Sequence, residues 1–279
     1  MATLNDYRDR EHWSFSALNQ FLNICSLQFA FDRVYKLEKT FTPVSLAFGS
    51  AFHRVLEWAA LLRKEAKTPQ ENDARDLFRD LWSRQVQEDA NIRFDDEITA
   101  DTCSAQGADL VAAYLKAVDP EEQVLAVNEA FAVPLVDAQG SVLEKPLVGE
   151  IDCRVAKGSR TMIVDWKSSA RRWPKDQADK SLQPTVYLYA YRKLYAQEAP
   201  VRFDVVVKNK TPVVEQHATT RKQDQFDRMV ELVKQAEKMI TAEHFLPSEQ
   251  GFYCSGCPHQ EACKGWHRGA ARGSVRLAG

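Results

Sequence analysis

The stretch from Leu147 to Ser169, LVGEIDCRVAKGSRTMIVDWKSS, constrains the chain more than any other. Two runs of apolar and β-branched residues flank a turn at Lys157-Gly158-Ser159-Arg160, which is the pattern of a β-hairpin. A four-residue loop there sets Ala156 opposite Thr161. Pairing outward then puts Asp152 opposite Asp165 and Glu150 opposite Lys167. Side chains alternate along a strand, so Glu150 and Asp152 share a face, as do Asp165 and Lys167. The other face pairs Ile151 with Trp166 and Cys153 with Val164, all suited to a core. Aspartates directly across a ladder lie with Cβ atoms about 5 Å apart and repel. A pair that persists needs a cation between its members, and oxygen donors with a nearby lysine suit a hard divalent metal.

Composition sets the frame for that hairpin. The chain has 279 residues, 44% hydrophobic and 27% charged, enough for a sizeable core. No apolar run approaches the ~18 residues of a membrane span. The polar N-terminus, MATLNDYRDREHW, has no signal-peptide character, so a cytoplasmic protein is expected. The net charge of −2 does not itself suggest a polyanion partner. Its distribution does: residues 154–180 hold eight Lys/Arg against three Asp, flanking the carboxylate pair. The acidic stretch 64–101 reads as solvated helix faces.

Before the hairpin, residues 14–35 have the apolar spacing of one amphipathic helix capped by Ser14 or Ser16. A second helix spans Leu46 to Lys64. Its Gly49, His53 and Glu57 recur every four residues and stack on one side. Two further helices over 70–118 form an insert with acidic faces. Strands begin near Gln123. After the hairpin comes a basic loop, ARRWPKD, whose Arg171, Arg172, Trp173 and Lys175 suit backbone contact and base stacking. Next comes a helix, LQPTVYLYAYRKLYA, with Ser181 as cap and Pro184 in its first turn. Gln183 and Tyr187 lie one turn apart on it. Two strands and a long helix over 223–242 follow. The expected architecture is one α/β fold, a mixed sheet flanked by helices. The divisions are N-terminal helices over 1–64, the helical insert over 65–120, an α/β core over 121–245, a Cys-rich region over 246–268 and a tail over 269–279.

Three of the six cysteines, Cys254, Cys257 and Cys263, crowd together as C-x2-C-x5-C, and Cys25 stands far away near the N-terminus. In a cytosolic chain such a cluster points to metal or redox chemistry rather than disulfides. Cys103 and Cys153 read as buried small hydrophobes, and His259 and His267 as surface residues.

Five stretches together resemble the PD-(D/E)xK nuclease superfamily, in its RecB-like branch with an iron–sulfur cluster: SFSALNQFLNIC, GSAFHRVLE, GEID with VDWK, LQPTVYLYAY and the C-terminal cysteines. They occur in the family's order. The resemblance implies a restriction-endonuclease-like fold. It implies that Asp152, Asp165, His53 and the Trp166 carbonyl ligate Mg²⁺ or Mn²⁺, and that Lys167 orients water or stabilises charge at phosphorus. Gln183 and Tyr187 would contact DNA phosphate and support the site. Cys25, Cys254, Cys257 and Cys263 would hold a [4Fe–4S] cluster, with Zn²⁺ the alternative occupant. The implied function is metal-dependent DNA cleavage, most simply as an exonuclease on ends or single strands. The alternatives are a non-catalytic DNA-end-binding subunit of a repair, phage recombination or CRISPR-adaptation complex, and an endonuclease using the same core. With no P-loop in the sequence, any helicase or recombination partner is a separate protein.

Overall fold

The computed structural model describes residues 3–95, 97–249, 251 and 253–270. The chain opens with the short helices α1 (Leu4–Arg8), α2 (Phe15–Asn19) and α3 (Ser26–Phe29). A two-residue strand, β1 (Thr42–Pro43), leads into α4 (Val44–Lys64) and α5 (Glu71–Glu88). Strand β2 (Ile92–Arg93) pairs with β1, and α6 (Ala100–Ala117) follows. The main sheet has β3 (Gln123–Val133), β4 (Leu147–Lys157) and β5 (Arg160–Ser169). Helices α7 (Gln177–Lys180) and α8 (Gln183–Tyr195) connect it to β6 (Val201–Val207) and β7 (Val213–Thr219). Helices α9 (Gln223–Thr241) and α10 (Gln260–Ala270) close the described chain.

The five strands lie in the order β3-β4-β5-β6-β7. All neighbours are antiparallel except β5 and β6, which run parallel because α7 and α8 cross over between them. This is the mixed sheet flanked by helices that the sequence led us to expect. The hairpin register is the expected one from Cys153 to Ala156, with Ala156 facing Thr161, but the ladder does not reach the expected Asp152–Asp165 and Glu150–Lys167 pairs. The turn is tighter than four residues: Lys157 pairs with Arg160, leaving Gly158 and Ser159, with Gly158 at φ 59° where a side chain would be strained.

One expectation about faces is overturned. Ile151 does not share a face with Cys153 and Trp166. The sheet separates two cores, and Ile151 lies in the one built with α2, α3, α8 and α9. Cys153, Val155, Val164 and Trp166 lie in the other, with α4, α5 and α6. The β4–β5 ladder ends at the Cys153–Val164 pair, so strict alternation does not carry past it. Helices α5 and α6 share this second core with α4 and the sheet. There Phe78 and Trp82 are buried, and Gly107 lets the Phe78 ring lie against the α6 backbone.

The single helix expected over 14–35 is also corrected. It is broken at Cys25, whose backbone is extended (φ −168°, ψ 117°), with π-helical turns at 20–24 and 30–34. The cause lies far along the chain. The Leu246 carbonyl accepts from the Leu27 amide (3.2 Å) and the Ser26 hydroxyl (3.1 Å), while the Leu246 amide donates to Ser26 Oγ (2.8 Å). Those long-range bonds replace local helical ones. Helix α8 starts one residue later than a Ser181 cap would place it: Leu182 is the cap, and Ser181 Oγ accepts from the Gln183 amide at 3.3 Å. No described helix is long and apolar enough to cross a membrane. Of the tail expected over 269–279, residues 271–279 lie outside the described chain.

Candidate active site

Strand β5 brings Asp165, Trp166 and Lys167 to the centre of the sheet, and each is held by a different element. Asp165 is fully buried beneath α8. Its Oδ1 accepts from Gln183 Nε2 (2.6 Å) and from the Tyr187 hydroxyl (3.1 Å), and Gln183 Nε2 also reaches Tyr187 Oη (2.8 Å). The one-turn spacing of Gln183 and Tyr187 makes this possible, because it points both at one strand position. Asp165 Oδ2 is sealed from solvent and is in ion-pair contact with the Lys167 ammonium. Lys167 therefore pairs with Asp165, not with Glu150.

Asp152 comes in from β4. Its Oδ2 accepts from the Trp166 amide (3.1 Å) and lies 3.4 Å from His53 Nδ1 of α4. Burial, and then the neighbouring Asp165 charge, push its carboxyl up to about 8. Lys167 pulls the other way without compensating. The one ammonium, paired with Asp165, does not offset the burial of Asp152 beside that like charge. His53 hydrogen-bonds the Trp166 backbone, and its ring meets the Trp166 indole edge-on at 6.2 Å. Burial and then the Lys167 charge lower the imidazole from its ordinary value, favouring the neutral form.

Of these groups His53, Asp152 and Trp166 line an open cleft of about 450 Å³ whose walls also include Ser45, Gly49, Glu57, Asn128 and Glu150. Gly49 has open space where a Cβ would stand, so its smallness widens the cleft. Gly149 has a different reason: a Cβ there would meet the Phe131 ring across the strand pair at 2.5 Å. Burial, with Glu57 nearby, pushes Glu150 above its ordinary value.

The structure thus brings together Asp152, Asp165, Trp166, Lys167, His53, Gln183 and Tyr187. Sequence reasoning missed Asn128, which lines the same cleft; two adjacent polar residues, Asn128 and Glu129, breaking the alternation of the strand were the available signal. It also missed Tyr114 of α6, whose hydroxyl accepts from Trp166 Nε1 at 2.7 Å, and no local signal announced that contact. Trp173 is not an open stacking platform. Its ring packs on Phe203 (5.0 Å) and His217 (5.7 Å), and its amide donates to Glu215. Arg172 is paired with the same glutamate, whereas Arg171 and Lys175 are exposed.

The four cysteines form a second locus. All are free thiols. Burial raises Cys257 and Cys263 above their ordinary values, and each also feels the other cysteines of the set. Gln28 Nε2 donates to Cys257 Sγ (3.4 Å), the Gln28 amide to Cys25 Sγ (3.4 Å), and Cys254 Sγ approaches the Ser248 carbonyl (2.8 Å). His259 is corrected: it is buried, 3.2 Å from Asp32, because α10 folds back against the N-terminal helices. Cys103 and Cys153 are buried as expected. Among the described residues, no three His, Cys, Asp or Glu side chains are gathered as a metal site.

Comparisons with known proteins match this geometry to a family. No curated protein matches the chain. Among solved structures it is similar to a protein from Eubacterium rectale provisionally described as an exonuclease, at 14% identity and a TM-score of 0.55, over 92% of this chain and 93% of that one. It also overlaps SSO0001 at 10% identity and a TM-score of 0.38, over 82% and 87% of the two chains. The family model of the PD-(D/E)XK nuclease superfamily matches residues 12–264, which include both strands of the hairpin, α4, α8 and all four clustered cysteines. The chain belongs to the PD-(D/E)XK nuclease superfamily.

Proposed function

We propose that this nuclease is a divalent-metal-dependent deoxyribonuclease acting as an exonuclease on DNA ends or single strands, and that the cleft between α4 and the β4–β5 strands is its cutting centre. The observation that carries the reading is the pair of crowded carboxylates. Asp165 is fully buried with a single ammonium, Lys167, against it, and Asp152 is driven towards protonation by burial and by the Asp165 charge. A hard cation would relieve both. Mg²⁺ and Mn²⁺ take one or two carboxylates, with waters and substrate phosphate oxygens completing the shell, so this donor set fits without a third carboxylate. Asp152, Asp165 and the Trp166 carbonyl would hold the ion, with His53 as a nitrogen donor that favours Mn²⁺. When bound, the metal would polarise the scissile phosphate and lower the pKa of a bound water.

The protein's own groups have distinct tasks in this reading. Gln183 and Tyr187 fix the rotamer of Asp165, leaving Oδ2 directed at Lys167. Lys167 sits where an ammonium can steady negative charge growing on phosphorus or orient the attacking water. Arg171 and Lys175, exposed beyond β5, would contact the DNA backbone. Asp165→Ala should abolish Mn²⁺-stimulated digestion of end-labelled single-stranded DNA while the far-ultraviolet spectrum is kept; digestion at the parental rate would refute the site. Covalently closed circles report the endonuclease alternative, which would nick them.

We further propose that Cys25, Cys254, Cys257 and Cys263 hold a [4Fe–4S] cluster, placing the chain in the RecB-like branch. Four thiols within mutual electrostatic reach, two of them receiving N–H donors from Gln28, support this. Protein purified without oxygen should be brown and contain iron, and Cys254→Ser should lose it. Stoichiometric zinc with no iron would overturn the assignment. DNA is the expected partner, with a helicase or recombination protein as a further one.

A further inference from the structure

Strands β3 and β4 change faces at the same level of the sheet. In β3, Val124 and Val127 face the α4–α6 core, but Phe131 and Val133 lie in the α8–α9 core. In β4, Cys153 and Val155 face α4–α6, while Ile151 and Leu147 lie in the α8–α9 core. A register shift after Val124 brings it onto the face of Val127; regular alternation would then keep Val127, Phe131 and Val133 on one side of β3, and Leu147, Ile151, Cys153 and Val155 on one side of β4. The partners on either side of the change are in register, Val127 with Cys153 and Glu129 with Ile151. Between them stand Asn128 and Asp152, which form no ladder pair.

The backbone supplies the reason. Asn128 has φ +49°, a left-handed conformation inside a strand, which rotates the following residues onto the other face. Asparagine is among the few residues with a side chain that visit this region readily. Asp152 sits opposite the rotation point. Counted from Cys153 and Arg154 it belongs to the α8 side, in the row with Asp165. Counted from Glu150, which lines the cleft with α4, it belongs to the α4 side. Lying at the changeover, its carboxylate meets both: His53 of α4 at 3.4 Å and the field of Asp165 beneath α8.

We propose that Asn128 is a positioning residue of the cutting centre, acting through its left-handed backbone to turn Asp152 between His53 and Asp165. The proposal rests on the metal-dependent reading above. It makes the backbone conformation, not the carboxamide, the working part. Both the changeover and the close approach of Asp152 to α4 depend on it. Local strain of this kind clusters where a strand must re-aim a functional side chain.

The test compares Asn128→Gly, Asn128→Ala and Asn128→Val in the full chain, with the parent and Asp152→Ala beside them. Mn²⁺ binding is followed by the paramagnetic resonance of free Mn²⁺, without DNA. Turnover and KM are measured on labelled single-stranded DNA, and folding by melting temperature and far-ultraviolet spectrum. Glycine keeps the conformation and removes the amide, so Asn128→Gly should bind Mn²⁺ and turn over like the parent. Alanine in the left-handed region costs enough to weaken Mn²⁺ binding about tenfold, and valine more, with lower turnover and an unchanged KM for DNA. If Asn128→Gly loses as much Mn²⁺ affinity as Asn128→Val, the amide acts and the proposal falls. It also falls if folded Asn128→Ala binds and cuts like the parent. Asp152→Ala separates the two levels: parental Mn²⁺ binding and cutting in that variant would refute the metal reading itself, whatever the Asn128 variants do.

Discussion

Two aspartates on neighbouring parallel strands are buried almost equally, and they have opposite fortunes. Asp204 of β6 is satisfied on every side. Arg202 reaches both its oxygens (2.7 and 3.1 Å), and Tyr114 donates to Oδ2 at 3.2 Å. Arg202 also pairs with Glu122, and the Arg63 guanidinium anchors the carbonyls of Asp119 and Glu122. Asp165 of β5, one strand away, has two donors on one oxygen and the Lys167 ammonium on the other, but it faces a second buried carboxylate, Asp152, that this one ammonium does not compensate. A completed polar network fixes a core, whereas an incomplete one stores free energy that a ligand can release. The difference between the two sites teaches where stability ends and chemistry begins.

The comparison can be broken most directly at Asp165. Asp165→Ala should lower the cleavage rate by about 10³-fold or more, the scale seen when a group facing transition-state charge is removed. Its melting temperature should change little, since the loss of partners for Lys167, Gln183 and Tyr187 is offset by removing the like charge that faces Asp152. Asp204→Ala should do the reverse. Leaving Arg202 and Tyr114 without their partner costs about 3 kcal/mol of stability, readable by urea titration, with turnover per folded molecule unchanged. Tyr114→Phe sharpens the contrast, because its hydroxyl joins the satisfied network to Trp166 Nε1. Two buried groups then lose a partner, and stability should fall by about 1–3 kcal/mol in the same titration. The smallest effect belongs at the surface: Arg84→Ala removes an exposed pair with Asp80 and should change stability by less than about 0.5 kcal/mol.

What was legible in the sequence was local and periodic. The alternation on either side of Gly158 gave the hairpin and its register, and the four-residue spacings of Gly49/His53/Glu57 and Gln183/Tyr187 gave faces that do turn towards it. What was not legible came from contacts between distant residues. Nothing near Cys25 predicts that Leu246 will draw Ser26 and Leu27 out of helical bonding. Nothing near His259 announces Asp32. The face change at Asp152 needed the conformation of Asn128 on another strand, which alternation assumes away. Trp173 looked like a surface aromatic because Phe203 and His217, its actual neighbours, lie on strands still to come.

The bonds between Ser26 and Leu246 have a consequence for how the molecule is made. They join positions 220 residues apart, so the first helices leave the ribosome long before their partner exists. Until residue 246 is made, the segment around Cys25 lacks the partner for these bonds. A chain ending before residue 246 lacks that closure and presents its opening segment to proteases. The clasp therefore ties the order of the segment around Cys25 to the arrival of residue 246.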